Sequence, residues 1–520
     1  MYAGVSFFGE DPVPPPRTKK RKKRQTTLTA PTAPTALRTL ATWPGVAGTA
    51  VAGEYSVPLA ALAALDPLAL ETVRSELTVK PRLSTMAMPG ADPSFPLYRV
   101  ENGTLHVPVF WGLRRFGGAT TDDRGLGTPV DVPFHGRLLD KNPPQASAVS
   151  AVTEELSRRG GALLVLPCGF GKTVCALKLI SDLGRKTLVV VHKEFLLDQW
   201  VERMAQFLPT ARVGRIQQKK VDVENKDVVM GMLQSICLKD YPPALWRQFG
   251  AVIFDETHHI AAVRFKEAVR KLPCAYKIGL TATPDRSDGL GRCIPWLLGD
   301  VAFRAGRRSD ERVDVFRVVY ARGNQKEIRI HYGPLRGKVG YSQMVTRITK
   351  DRRRNDLLGL LVEQQVKTGR YLLVLTERVA HVQLLERFLR SLLCPAGSSN
   401  GAEPTTIGVV KGGDKAEARE AGFKCQIVLS TYQYASEGLD IKRMDTLFLA
   451  SPAPTAKLEQ CVGRVLRPCA DKLTPRVFDV VDPFSVFFGT STKRCKYYRS
   501  EGYRVVDVDA EDPQLLSIVA

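Results

Sequence analysis

Ala162-Leu-Leu-Val-Leu166, followed directly by Pro167-Cys168-Gly169-Phe170-Gly171-Lys172-Thr173 and then by a helical pattern, decides the fold. A short, wholly apolar run of this kind reads as a strand buried on both faces, as in a parallel sheet. The glycines after it let the backbone turn tightly into a helix N-terminus. There, backbone N–H groups and the helix dipole together make an anion cradle. Lys172 adds a point charge suited to the β- and γ-phosphates of a nucleotide, and the Thr173 hydroxyl is suited to Mg²⁺. Residues 167–173 are therefore the candidate phosphate loop. Leu166 stands where the strict GxxxxGK[ST] form has its first glycine.

A second element sets the chemistry. Ala251-Val-Ile-Phe254 is another apolar strand, and it ends in Asp255-Glu256-Thr257-His258-His259. Carboxylates at the C-terminal end of a parallel strand project into the crevice where open α/β sheets bind ligands. Asp255 is placed to hold Mg²⁺ through water, and Glu256 to polarise an attacking water. The paired histidines do not make a zinc site, because they lack the HExxH spacing and a third ligand nearby.

Further apolar runs occur at 188–191, 228–230, 278–280, 372–375, 407–410, 427–429, 447–450 and 477–481, alternating with helical patterns. They predict an α/β chain with two tandem parallel-sheet domains, over 139–301 and 346–490, joined by a connecting segment at 302–345. Residues 53–138 read as a small accessory domain, with helix over Leu59–Leu77 and a hairpin formed by Leu97–Val100 and Leu105–Phe110. Residues 491–520 read as a C-terminal tail. Residues 1–52 are rich in Pro, Thr and Ala and read as a disordered N-terminal tail.

The chain has 520 residues and a formal net charge of +22. Its tract Arg17–Arg24 carries seven positive charges, and +15 remains without it. The excess is thus spread along the body, which favours a polyanionic partner, although charge alone does not establish one. Within PPPRTKKRKKRQ the tract reads as a nuclear import signal bound by an import receptor, with a nonspecific nucleic-acid arm as the alternative. No apolar run approaches a membrane span and no signal peptide is evident, so neither a membrane nor a secretory route is expected. The ten cysteines form no CxxC pair, and several sit in apolar runs as small reduced hydrophobes.

The pair PCGFGKT and DETHH resembles motifs I and II of superfamily 2 helicases of the DExH type, which have two RecA-like domains. The remaining motifs follow in order. Gln145 resembles the adenine-reading glutamine. Leu188–Lys193 resembles motif Ia, and Gly231–Ser235 a later motif that contacts nucleic acid. Thr281-Ala282-Thr283 resembles motif III, which couples hydrolysis to movement. Leu372–Arg378 is similar to motif IV, and Ser430–Tyr432 with Glu437–Asp440 to motif V. Gln460-Cys-Val-Gly463-Arg464-Val-Leu-Arg467 matches QxxGRxxR of motif VI. Its helix places 460, 464 and 467 on one face, because residues three and four apart are neighbours.

The resemblance implies ATP and Mg²⁺ as cofactors. It implies arginine fingers at Arg464 and Arg467, nucleotide contacts from Gly438, Asp440 and Gln460, and strand contacts from His192, Gln234, Thr376 and Thr431. GLTATPDR, Asp351–Asn355 and EGLDI point to the XPB/UvsW branch. Residues 75–112 resemble the N-terminal part of helicases from large nucleocytoplasmic DNA viruses. The resemblance implies a DNA helicase or translocase moving 3′→5′ in transcription or repair. An RNA helicase and a restriction-type DNA motor subunit are the alternatives, though no PD-(D/E)xK centre stands out in 53–138.

Overall fold

All ten apolar runs read from the sequence are strands in two large sheets. The computed structural model describes residues 42–81, 93–140, 144–167, 169–257, 262–282, 289–305, 312–321, 340–394, 405–439, 441–453, 455–467, 469 and 472–520. The basic tract 17–24, Cys168, His258, His259, Thr283 and Asp440 lie outside the described residues.

The first large sheet has eight strands in the order Lys220–Asp222, Val213–Gln217, Val228–Met232, Thr187–Val191, Ala251–Phe254, Tyr276–Thr281, Gly161–Val165 and Val301–Arg304. All neighbours are parallel except the outer pair at 213–217 and 220–222. Successive strand residues serve opposite faces. Leu164, Val189 and Ile253 join a core with the helices Gln145–Arg159, Lys172–Leu183 and Glu194–Phe207. Leu163, Leu188, Val190 and Val252 join a second core on the other face, with Phe265 and Leu297. Burying each such side chain contributes about 1.5–3 kcal/mol, which is why these strands carry no polar alternation.

The second large sheet has seven parallel strands in the order Ile407–Val409, Ile427–Thr431, Leu372–Thr376, Thr446–Leu449, Arg476–Val481, Asp314–Val319 and Arg504–Asp509. Two of these strands fall where none was expected. Residues 302–345, read as a connection, supply Asp314–Val319, which is held between Arg476–Val481 and Arg504–Asp509. Residues 491–520, read as a tail, supply most of the helix Ser485–Ser500 and the edge strand Arg504–Asp509. Both segments carry charges inside the strand, Asp314 and Arg317 in one and Arg504, Asp507 and Asp509 in the other. They mix Arg and Asp with valines because an edge or next-to-edge strand is less completely covered than a central one.

A third sheet of five short strands is built from Arg99–Glu101, Thr104–Val107, Tyr55–Pro58, Ala50–Val51 and Thr121–Asp122. The expected hairpin is present: Arg99–Glu101 pairs antiparallel with Thr104–Val107. Its turn places Asn102 at φ 49° and Gly103 at φ 71°, the two left-handed positions of a type I′ turn. The second strand stops at Val107, short of the expected Phe110. Pro108 has no N–H to continue the ladder and precedes the helix Val109–Phe116. The helix expected over 59–77 is two helices, Leu59–Leu65 and Ala69–Leu77, separated around Asp66-Pro67.

The expectation of disorder through residue 52 is also corrected. Trp43, Val46 and Val51 are buried in the core of this domain with Tyr55, Trp111 and Phe116. The domain packs on the first large sheet's helices. A Cβ on Gly53 would lie 1.9 Å from Arg270 O, Arg114 pairs with Asp300 at 2.8 Å, and Lys266 Nζ donates to Pro96 O at 3.0 Å.

Candidate active site

The turn after Gly161–Val165 requires its glycines. Gly169 has φ 89° and Gly171 φ 82°, a region costly for any residue with a Cβ. A Cβ on Gly171 would also lie 2.4 Å from Gln145 Nε2. Gln145 opens the helix Gln145–Arg159 and is buried. Its Nε2 donates to Phe170 O at 3.2 Å and its Oε1 accepts from Leu139 N at 3.1 Å. The loop then enters the helix Lys172–Leu183, with Lys172 and Thr173 in its first turn. Lys172 Nζ donates to Leu166 O at 3.2 Å and stands 3.8 Å from Glu256 Oε1.

The acidic pair lies directly past the strand Ala251–Phe254. Asp255 is buried, receiving Trp200 Nε1 on Oδ2 at 2.8 Å and Glu256 N on Oδ1 at 2.9 Å. Its carboxyl is pushed up to about 6, first by burial and then by the adjacent Glu256 carboxylate. The Trp200 bond and Lys172 pull the other way. Glu256 has φ 50°, a left-handed conformation that is strained for a side chain of its size. Thr281, at the end of the strand Tyr276–Thr281, and Ala282 are both buried. The Thr281 carbonyl accepts from Leu166 N at 3.1 Å, so the segment resembling motif III is bonded to the start of the phosphate loop.

The second large sheet contributes the opposite wall. The helix Thr455–Val465 ends two residues before Arg467, because Pro468 disfavours helical geometry in the residue before it. Residues 460, 464 and 467 therefore do not share one helical face, as a continuous helix would have required. Arg464 is buried, with Nε donating to Ala435 O and Nη1 to Leu439 O, each at 2.8 Å. It thus also braces the end of the helix Tyr432–Gly438. Arg467 crosses to the phosphate loop, where a Cβ on Gly169 would lie 3.6 Å from Arg467 Cγ. Gln460 is buried and is not among the residues lining the cavity described next.

A cavity of about 600 Å³ lies between these walls. Gln145, Gly169, Lys172, Thr173, Asp255 and Glu256 line it from the first sheet, and Arg419, Tyr434, Lys442, Arg464 and Arg467 from the second. Across its mouth Phe195 and Tyr434 approach with ring centroids 6.4 Å apart. The residues present fit ATP with Mg²⁺. A Cβ on Gly171 would intrude on the loop, the buried Asp255 carboxylate lines the cavity, and Lys172, Arg464 and Arg467 converge on it with Arg419 and Lys442. Trp200 and Phe195 were not singled out from the sequence. Both lie in the helix Glu194–Phe207, whose Leu196, Leu197, Trp200 and Met204 spacing reads only as a core stripe.

The four residues expected to touch nucleic acid fall in two pairs. Gln234 Nε2 donates to His192 O at 2.8 Å, beside the ends of two neighbouring strands. Thr376 and Thr431 are register partners on neighbouring strands of the second sheet. Thr431 Oγ1 caps the helix Tyr432–Gly438 by accepting from Tyr434 N. Thr376 does not fit the expected role. It is 1% exposed, and its hydroxyl is engaged by His381 Nδ1 at 2.7 Å and Ser451 Oγ at 3.2 Å. Among the described residues no cluster of His, Cys, Asp or Glu could hold a metal, and no helix is long and apolar enough to cross a membrane.

A phosphate loop and acidic pair on one RecA-like sheet, with arginines converging from a second, is the arrangement of a helicase-type ATPase. Comparison with known proteins agrees. Residues 138–286 match the family model "Type III restriction enzyme, res subunit". The chain is 30% identical over 450 residues to "Putative ATP-dependent RNA helicase L396" of Acanthamoeba polyphaga mimivirus, covering 85% of this chain and 83% of that one. It is 22% identical over 451 residues to "Putative helicase 161L" of Invertebrate iridescent virus 6, covering 84% and 96%. The fold is shared with a fragment of a putative HsdR subunit of a type I restriction enzyme from Vibrio vulnificus. That likeness has a TM-score of 0.50 and 19% identity, and covers 73% of this chain and 70% of the fragment.

The chain belongs to the superfamily 2 helicases that include those of large DNA viruses. It is a nucleic-acid-dependent ATPase.

Proposed function

We propose that this enzyme is a DNA helicase or translocase that hydrolyses ATP between its two RecA-like domains, with Lys172, Asp255, Glu256, Arg464 and Arg467 at the centre. The observation that carries this reading is the shared cavity, because neither sheet alone supplies both the phosphate loop and the arginines. Gln145 and residues 167–173 bind the nucleotide, and Lys172 neutralises phosphate charge. Thr173 and Asp255 would hold Mg²⁺, which polarises phosphate oxygens when bound. Glu256, 3.8 Å from Lys172, orients water and accepts its proton. Arg467 stabilises charge developing on the transferred phosphate. Arg464 transmits that contact to the Tyr432–Gly438 helix through the carbonyls it holds.

DNA is favoured by the match of residues 138–286 to a restriction-enzyme subunit. An RNA track is the second reading, supported by the printed name of the mimivirus relative. Movement 3′→5′ in transcription or repair follows from the family resemblance. Single-turnover unwinding of tailed DNA and RNA duplexes of both polarities tests all of this together. Unwinding of 3′-tailed DNA is expected, and unwinding confined to RNA duplexes would assign the other track. The tract Arg17–Arg24 is proposed as a nuclear import signal. Deleting residues 14–25 should abolish nuclear accumulation without lowering ATPase activity, and accumulation of the truncated protein would refute it.

A further inference from the structure

The helix Ser485–Ser500 lies outside every motif discussed above, and its composition is one-sided. Its sequence, SVFFGTSTKRCKYYRS, contains four cations and no carboxylate. One of the four is structural: Arg494 is buried and forms a two-pronged bond to Asp479, with Nε–Oδ2 and Nη2–Oδ1 both 2.8 Å. Phe487, Ser491, Cys495 and Tyr498 are buried on the same side, fixing how the helix is rotated.

The outward face then follows by spacing. Phe488, Thr492, Lys496 and Arg499 are exposed at spacings of four, four and three and so lie over one another, and Lys493, also exposed, flanks that stripe three residues before Lys496. Phe488 is 60% exposed, an unusual state for a phenyl ring held at the start of a rigid helix. Lys493, Lys496 and Arg499 form no ion pair among the described residues. The next carboxylate, Glu501, comes only after the helix has ended.

The position of this helix completes the case. Its first turn, with Phe488, lies just past the C-terminal end of the strand Arg476–Val481, on the edge of the sheet where ligands of α/β folds bind, and from there the helix carries its cations back toward the opposite edge, where the parallel strand Arg504–Asp509 begins. Its first turn is pinned to the helix Tyr341–Ile348 through Phe487 and Tyr341, 5.6 Å apart. That helix is tied in turn to the segment resembling motif IV, because Arg378 Nη2 donates to Ser342 O at 2.9 Å. From Phe488 to Arg499 the stripe runs about 16 Å at the rise of an α-helix, room for a few nucleotides of single strand.

We infer that the exposed face of Ser485–Ser500 is a nucleic-acid surface. In it a base of the tracked single strand stacks on Phe488 while Lys493, Lys496 and Arg499 contact successive phosphates. An aromatic platform beside a run of unopposed cations is the composition that sequence-tolerant single-strand binding requires. A protein partner would be expected to meet a broader apolar patch with fewer cations. The inference rests on the proposed translocase reading and adds a contact surface to it.

The test compares the full-length protein with Phe488→Ala, Phe488→Trp and the triple variant Lys493→Gln/Lys496→Gln/Arg499→Gln. Binding to a fluorescent oligothymidylate is measured from low to moderate salt, alongside ATPase activity without nucleic acid. Phe488→Ala should weaken binding about tenfold and Phe488→Trp should retain it. The triple variant should reduce the slope of log K against log salt by about two, at roughly 0.7 per phosphate on a single strand. ATPase activity without strand should be unchanged in all three, showing that the fold and the nucleotide site are intact. A strand carrying 5-iodouracil should photocrosslink within residues 485–500. Wild-type binding with unchanged affinity, slope and crosslinks elsewhere would overturn this surface alone. Failure of the wild type to bind any strand would overturn the translocase reading with it.

Discussion

Trp200 Nε1 donates to Asp255 Oδ2 at 2.8 Å, and the helix that carries Trp200 also carries Phe195, which meets Tyr434 of the second domain. One rigid helix therefore touches both the acidic pair and the opposite wall of the cleft. Closure of the cleft has a direct mechanical route to the Asp255 carboxylate.

Replacing Trp200 with Phe removes a donor that lowers the Asp255 pKa, while burial and Glu256 continue to raise it. The carboxylate form is then harder to maintain, and the acid limb of the ATPase pH profile should move to higher pH. Activity near neutral pH should fall about tenfold, since a lost hydrogen bond to a buried charge costs about 1.5–3 kcal/mol. Raising the pH should restore part of it. An unshifted profile would show that the bond is irrelevant to hydrolysis.

Gly171→Ala should damage the nucleotide site more than its size suggests. The residue has φ 82°, and its new Cβ would meet Gln145 Nε2. Left-handed geometry alone costs about 1–2 kcal/mol. Calorimetry should show ATP binding weakened at least tenfold, with strand binding retained.

Lys172→Ala should abolish hydrolysis and leave salt-dependent strand binding largely intact, because Lys172 lies in the cleft wall with Glu256. Steady-state ATPase assays and filter binding on the same preparation separate the two. Normal turnover by this variant would remove the phosphate-loop assignment.

His381 makes a pH prediction for stability. It is buried between Thr376 Oγ1 on Nδ1 and Asn355 Oδ1 on Nε2, and burial lowers its pKa to about 3. The unfolded chain takes up this proton near the ordinary value of about 6.5, while the folded chain does not. Stability from the neutral ring is thus complete above about 6.5 and is lost as pH falls toward 3, by up to about 1.4 kcal/mol per pH unit. Melting temperature should drop more steeply between pH 7 and pH 5 in the wild type than in His381→Asn. Parallel curves would contradict it.

The central strands were legible because a strand covered on both faces has no polar alternation to hide it, as in Leu372–Thr376 and Ala251–Phe254. Edge elements were not. Asp314–Val319 and Arg504–Asp509 interrupt their valines with Arg and Asp, and in isolation that pattern resembles a connector or a tail. The sequence placed Lys172 and Asp255 just past the ends of two separate strands, and only the sheet order brings them together. Thr376 shows the limit from the other side. Its place in a segment resembling motif IV suggested a strand contact, but the side chain turns inward to His381, a partner that a linear motif does not specify. Arg467 needed the fold most, because its nearness to Gly169 depends on how the two domains meet.

The cleft between the domains is tested most directly by ATP hydrolysis of the wild type and of Arg467→Ala, each measured with and without single-stranded nucleic acid at saturating ATP. The account predicts strong stimulation of the wild type by the strand. It predicts a loss of about 10³-fold or more in kcat for Arg467→Ala, with ATP affinity little changed. Hydrolysis indifferent to the strand, or an Arg467→Ala enzyme turning over at the wild-type rate, would contradict it.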